Sequence, residues 1–220
     1  MMGPSNTMRA FAVSGAIIGW FALGLQYVLL VRGFEAGALS ATIRFFSFFT
    51  ILTNTLVAVA YTAVILPGRA AFTRFFRQPR IQSGIALSIA LVGIAYSLLL
   101  RRIWDPQGWQ LVADRLLHDV APLLFVGFWV VWVPKGALRY SDVWRWALYP
   151  IAYFAYALGQ ARLTAWYPYP FVDVGVLGYA VALRNAAVIL ALFVATGVVV
   201  VAASRRVSRP PATDPATAVR

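Results

Sequence analysis

Residues 183–204, LRNAAVILALFVATGVVVVAAS, run from Asn185 to Ser204 without a charged side chain, a stretch of 20 positions. About 20 apolar residues in helix are what crossing the hydrocarbon of a bilayer requires. Working outward, five more apolar segments precede it, at about 10–31, 43–66, 83–100, 118–134 and 146–163, the last two on the short side. The chain of 220 residues is 61% hydrophobic and only 12% charged, whereas a soluble domain is nearer half apolar and a quarter charged. The expected fold class is therefore all-α: a polytopic membrane protein of the cell membrane, six transmembrane helices in a compact bundle over residues 1–204. A basic cytoplasmic tail with Pro210, Pro211 and Pro215 is expected to be disordered over 205–220.

The formal charge of +12 raises the question of nucleic acid, and the placement of the charges answers it. With the N-terminus inside, Arg9, the Arg69–Arg80 group, Lys135, Arg139, Arg145 and the tail put 12 of 19 basic residues on the cytoplasmic side. The outer side holds five of the seven acids. This asymmetry predicts an N-in, C-in topology and no nucleic-acid partner. The first apolar segment is longer than a signal-peptide core and no small-residue cleavage site follows it, so it is expected to stay as a span. Without cysteine there is no disulfide, thiolate nucleophile or cysteine-held metal, and a single histidine excludes paired-histidine haem or zinc motifs. No metal or cofactor is expected.

That histidine, His118, opens the fourth segment and is the chain's natural acid–base group. Asp114 precedes it by one helical turn and is placed to accept a ring N–H. Asp119 points about 100° away. Pro122 deprives the His118 carbonyl of its helical donor. In the second segment Ser47, Thr50 and Asn54 form a polar stripe with Tyr61, Thr53 beside it and Arg44 at its outer end. Tyr149, Tyr153, Tyr156 and Gln160 make a matching stripe in the fifth. Both are expected to face the bundle interior, where hydroxyls and amides find partners. Gly15 and Gly19 suit close helix packing inside the chain. WYPYPF, residues 166–171, reads as a stiff interfacial segment, an anchor or a lid. Thr50 and His118 fall in the same outer half of the bilayer. Threonine is a weak nucleophile that needs a base within hydrogen-bond reach.

The segments SFFTILTN (47–54), HDVAP (118–122) and WYP (166–168) resemble elements of the androgen-induced-protein-like integral membrane family, closest to a bacterial six-span branch with the fuller WYPYPF string. Animal members are threonine hydrolases that cleave fatty acid esters of hydroxy fatty acids with one intramembrane Thr and one His. The resemblance implies Thr50 as nucleophile, His118 as base and a fatty-acyl ester or other membrane lipid as partner. Arg44, Ser47, Asn54, Asp114, Tyr153, Tyr156 and Gln160 are candidate supporting or substrate-binding residues. The motif transfers no role to Asn54 or Asp119. Two alternatives stand beside a lipid-ester hydrolase. One is a non-catalytic bundle that binds lipid or stabilises a partner. The other is a small transporter, disfavoured because no acid lies within a span core.

Overall fold

Small residues decide where these helices touch. Without water to drive association, helices in lipid pack where Gly, Ala or Ser lets backbones approach. The computed structural model describes residues 5–68 and 70–207, and among them the chain is all-helical with no strand. Helix α1 (Asn6–Arg32) is capped by the Ser5 hydroxyl, which accepts the Met8 N–H. Gly15 lies under the ring of Tyr61 and Gly19 against Ala58, both on α3 (Phe49–Ile65). The Gly15/Gly19 pair is thus used inside the chain. Around it, Tyr61 packs edge-on to Phe125 and Phe128 in an aromatic core.

The same device recurs. Gly93, on α5 (Pro79–Ala95), meets Pro122 and the His118 carbonyl at the start of α7 (Ala121–Trp132). Gly84 faces Trp146 of α8 (Tyr140–Thr164), whose indole donates to the Arg80 carbonyl. Gly197, on α9 (Val174–Val207), rests on Val143 and Leu87. Short helices α2 (Gly37–Phe46), α4 (Ala71–Phe76) and α6 (Gly108–Arg115) complete the set. Lys135, beyond the end of α7, donates to the carbonyls of Trp129, Val130 and Val133, so a cation closes that C-terminus. Burial holds its ammonium below the usual lysine pKa.

Four helical segments are long and apolar enough to cross a membrane: α1, Pro79–Leu100, Gly108–Trp132 and Val174–Arg205. Large apolar side chains on them point outward, Leu98 and Leu123 about three-quarters exposed, as hydrocarbon-facing residues do. The second expected span differs from its reading as one helix. It is broken at Ser47–Phe48, where α2 and α3 meet at 78°, and counts as a fifth span only if the bent pair is taken together. Helix α8 is 25 residues long but is not among the segments apolar enough to qualify. The fourth expected span begins ten residues early, at Gly108, and passes through a π-helical turn at Leu116–Val120. The third ends in another, at Tyr96–Leu100. Helix α9 starts before Leu183, with a break at Gly178 (φ 74°), and continues through the first residues of the expected tail to Val207. The remainder of that tail, 208–220, lies outside the described residues, as does Arg69.

The α1–α3 contact is testable. Gly15→Ala would place a methyl 2.5 Å from the buried Tyr61 ring. We expect a loss of about 1–3 kcal/mol, as for overpacked cores, read as a lower apparent melting temperature in detergent. Gly24→Ala, with nothing within 4 Å, should leave it unchanged.

Candidate functional site

A helix that stops among apolar neighbours leaves backbone groups that need partners. At the α2–α3 break the Ser47 hydroxyl turns back to the Ile43 carbonyl (2.8 Å) and the Tyr153 phenol donates to the Ser47 carbonyl (2.9 Å). Both bonds draw Ser47 out of a continuous helical ladder. On the far side, the N–H of Thr50 donates to the Tyr169 oxygen at 3.2 Å, and the Thr50 and Tyr169 hydroxyls are 3.3 Å apart. Tyr156 meets the Ser47 hydroxyl (3.1 Å) and Tyr149 meets Thr53 (3.0 Å). Ser47 and Thr53 thus meet the tyrosines of α8 and Thr50 meets Tyr169 of the WYPYPF segment, whereas Asn54 turns to Leu117 and Tyr61 to Phe125 and Phe128. Tyr169 is buried in the connection between α8 and α9, and that burial holds its phenol above the ordinary tyrosine pKa.

The histidine is held separately. His118 Nδ1 is 3.0 Å from the Asp114 carbonyl and 3.2 Å from Asp114 Oδ1. Both are acceptors, so Nδ1 carries a proton, and in the neutral tautomer that this selects Nε2 would be the acceptor. Asp114 is itself buried and takes the Tyr96 hydroxyl on its other oxygen at 2.6 Å. The Tyr96 ring stacks on the imidazole, centroids 3.9 Å apart and 12° from parallel. Tyr96 and His118 each lie in one of the two π-helical turns, a distortion found often at functional sites. Asp119, pointing away as the helical angle requires, pairs with Arg101 and Arg115.

Among the described residues, no hydrogen bond joins Thr50 to His118. Asn54 links their surroundings: its amide donates to the Thr50 carbonyl (2.9 Å) and to the carbonyl of Leu117 (3.1 Å), next to His118. The Asn54 side-chain oxygen is buried and has no partner among the described residues. Thr50 lines a cavity of about 290 Å³ with Tyr96, Tyr153, Tyr169 and otherwise apolar residues, among them Leu91, Phe154, Phe171 and Leu190. His118 lines a second, of about 460 Å³, between α5 and α7, with Gly93, Ser97, Asp119 and Leu123. Tyr96 belongs to both environments, as a wall of the first and the stacking partner of His118.

Of the other candidates, Arg44 is clamped over Trp166 (3.9 Å) and Phe34 (5.3 Å), and neither it, Arg162 nor Arg184 lines either cavity. Gln160 donates to Thr164 on its own helix and makes no bond to α3. Tyr96, Tyr169 and Ser97 were not singled out from sequence. The first is the only tyrosine of its apolar run, a usable signal. The second sits unmarked among several aromatics.

Compared with known protein families, curated proteins and solved structures, this chain has no match.

The Tyr169 contact predicts a stability effect. Tyr169→Phe removes the acceptor of the Thr50 N–H and the partner of its hydroxyl. Thermal unfolding in detergent should show a loss of about 1–3 kcal/mol, the cost of stranding a buried donor.

Proposed function

We propose that the chain is a six-span, N-in/C-in protein of the cell membrane that hydrolyses a lipid ester, with His118 as general base. The observation that carries this is the Asp114–His118 arrangement. A carboxylate on Nδ1 fixes the ring and its tautomer and leaves Nε2 free to take a proton, the orienting role that an aspartate plays in hydrolase triads. The six-span count takes the bent α2–α3 pair as one span and α8 as another. In favour of α8, the hydroxyls of Tyr149, Tyr153 and Tyr156 along its polar edge are taken up by bonds to Thr53 and Ser47. The basic residues on the inner loops support the orientation.

Thr50, the nucleophile implied by the family resemblance, stands at the polar end of a cavity otherwise suited to an acyl chain. To act with His118 it must exchange its Tyr169 partner for the imidazole. A second reading draws on that same bond: a non-catalytic bundle that seats a lipid tail beside Thr50, the hydroxyl serving only to close the helix break.

Purified protein in detergent, treated with a fluorophosphonate probe and assayed on a long-chain p-nitrophenyl ester, separates the two. Hydrolysis predicts labelling of wild type, and its loss in His118→Ala together with a rate drop of about 10²–10⁴-fold. Labelling retained in a His118→Ala protein that melts normally would remove the base assignment. Absence of labelling in wild type, with tight binding of a fluorescent fatty acid, would establish the lipid-binding reading.

A further inference from the structure

If His118 is a base, the hydroxyl it serves should share its cavity, and the one that does is Ser97. Resting on the hydrolase reading, we propose that Ser97 is the nucleophile and that Ser97, His118 and Asp114 form a triad acting on a long-chain acyl ester in the groove between α5 and α7.

Ser97 and His118 line the same cavity from neighbouring segments. Gly93 touches the carbonyl of His118, and Ser97 lies four residues further toward the outer end of Pro79–Leu100. The neighbouring segment runs the opposite way, and a helical side chain leans toward its own N-terminus. The imidazole therefore reaches toward the same end, where Nδ1 meets Asp114 and the Tyr96 ring backs the plane. Both residues line the 460 Å³ cavity, a volume within the roughly 300–1,000 Å³ of small-molecule sites. Its remaining wall is largely apolar, with Ile94, Leu98 and Leu123 mostly exposed, so the groove opens sideways to hydrocarbon and suits a chain arriving from the bilayer. The Ser97 oxygen accepts a bond from Arg101 (3.3 Å), which leaves its own proton free to leave. That guanidinium, tethered by Asp119, places positive charge where an ester oxygen would become an oxyanion.

The step balances with water as the only co-reactant. His118 Nε2 takes the Ser97 proton as the serine oxygen bonds to the acyl carbon, and the carbonyl electrons move onto oxygen. The oxyanion collapses, the ester C–O bond breaks, and His118 returns its proton to the departing alcohol. Water then attacks the acyl-serine, giving one proton through His118 back to Ser97 and releasing the fatty acid.

The test is peptide mapping by mass spectrometry of fluorophosphonate-treated wild type, beside Ser97→Ala and Thr50→Ala. We expect the adduct on Ser97. Ser97→Ala should lose both the adduct and at least about a hundredfold of ester hydrolysis, while its melting temperature stays at the wild-type value because the side chain is exposed. An adduct on Thr50 overturns the Ser97 assignment and leaves the hydrolase reading standing. Full hydrolysis in Ser97→Ala overturns it as well. No adduct on any residue of wild type, with no ester turnover, removes the hydrolase reading and this inference together.

Discussion

A helix break inside an apolar bundle is the constraint on which much of this structure turns. Where α2 gives way to α3 at 78°, the carbonyl of Ser47 and the N–H of Thr50 need partners that apolar neighbours do not provide. Tyrosine answers that need, because its ring is at home among apolar neighbours and its hydroxyl both donates and accepts. Tyr153 serves one side and Tyr169 the other. Their demands bring α8 and the connection after it against the break. The cavity beside Thr50 is a consequence, walled by the same tyrosines and by the phenylalanines around them.

The histidine depends on a different economy of partners. Asp114 is buried, a costly position for a carboxylate, and it is accommodated by the Tyr96 hydroxyl on one oxygen and the His118 ring on the other. Each of those two residues lies in a π-helical turn, so both helices depart from regular geometry where they supply the site. Close approach at Gly93 lets the two segments meet. The Arg101–Asp119–Arg115 cluster lies at the same end of the bundle, keeping the neighbouring charges paired.

Thr50 and His118, the residues joined by the family resemblance, line two different cavities. The hydroxyl of Thr50 is satisfied by Tyr169 on one side, while the imidazole opens to the groove of Ser97 on the other. Chemistry at His118 and lipid seating at Thr50 are thus distinct possibilities in space.

The sequence by itself determined the helical class, the long apolar segments and the Asp114–His118 contact, because these follow from hydropathy and from the one-turn spacing of a helix. It also marked Ser47, Thr50 and Tyr153 as polar groups turned to partners inside the bundle, since a hydroxyl in hydrocarbon must find a partner on another helix. It did not reveal the break at Ser47, where a local serine bond and a distant tyrosine together outweigh the continuity of an apolar run. Nor did it reveal Tyr169 as the partner of Thr50, or Tyr96 as the ring stacked on His118. Those were decided by the tertiary structure: Tyr169 lies 119 residues from Thr50, and Tyr96 reaches Asp114 only when α5 and α7 pack through Gly93. Periodicity reports which face of a helix is polar, whereas which hydroxyl meets that face depends on how the helices are arranged about one another.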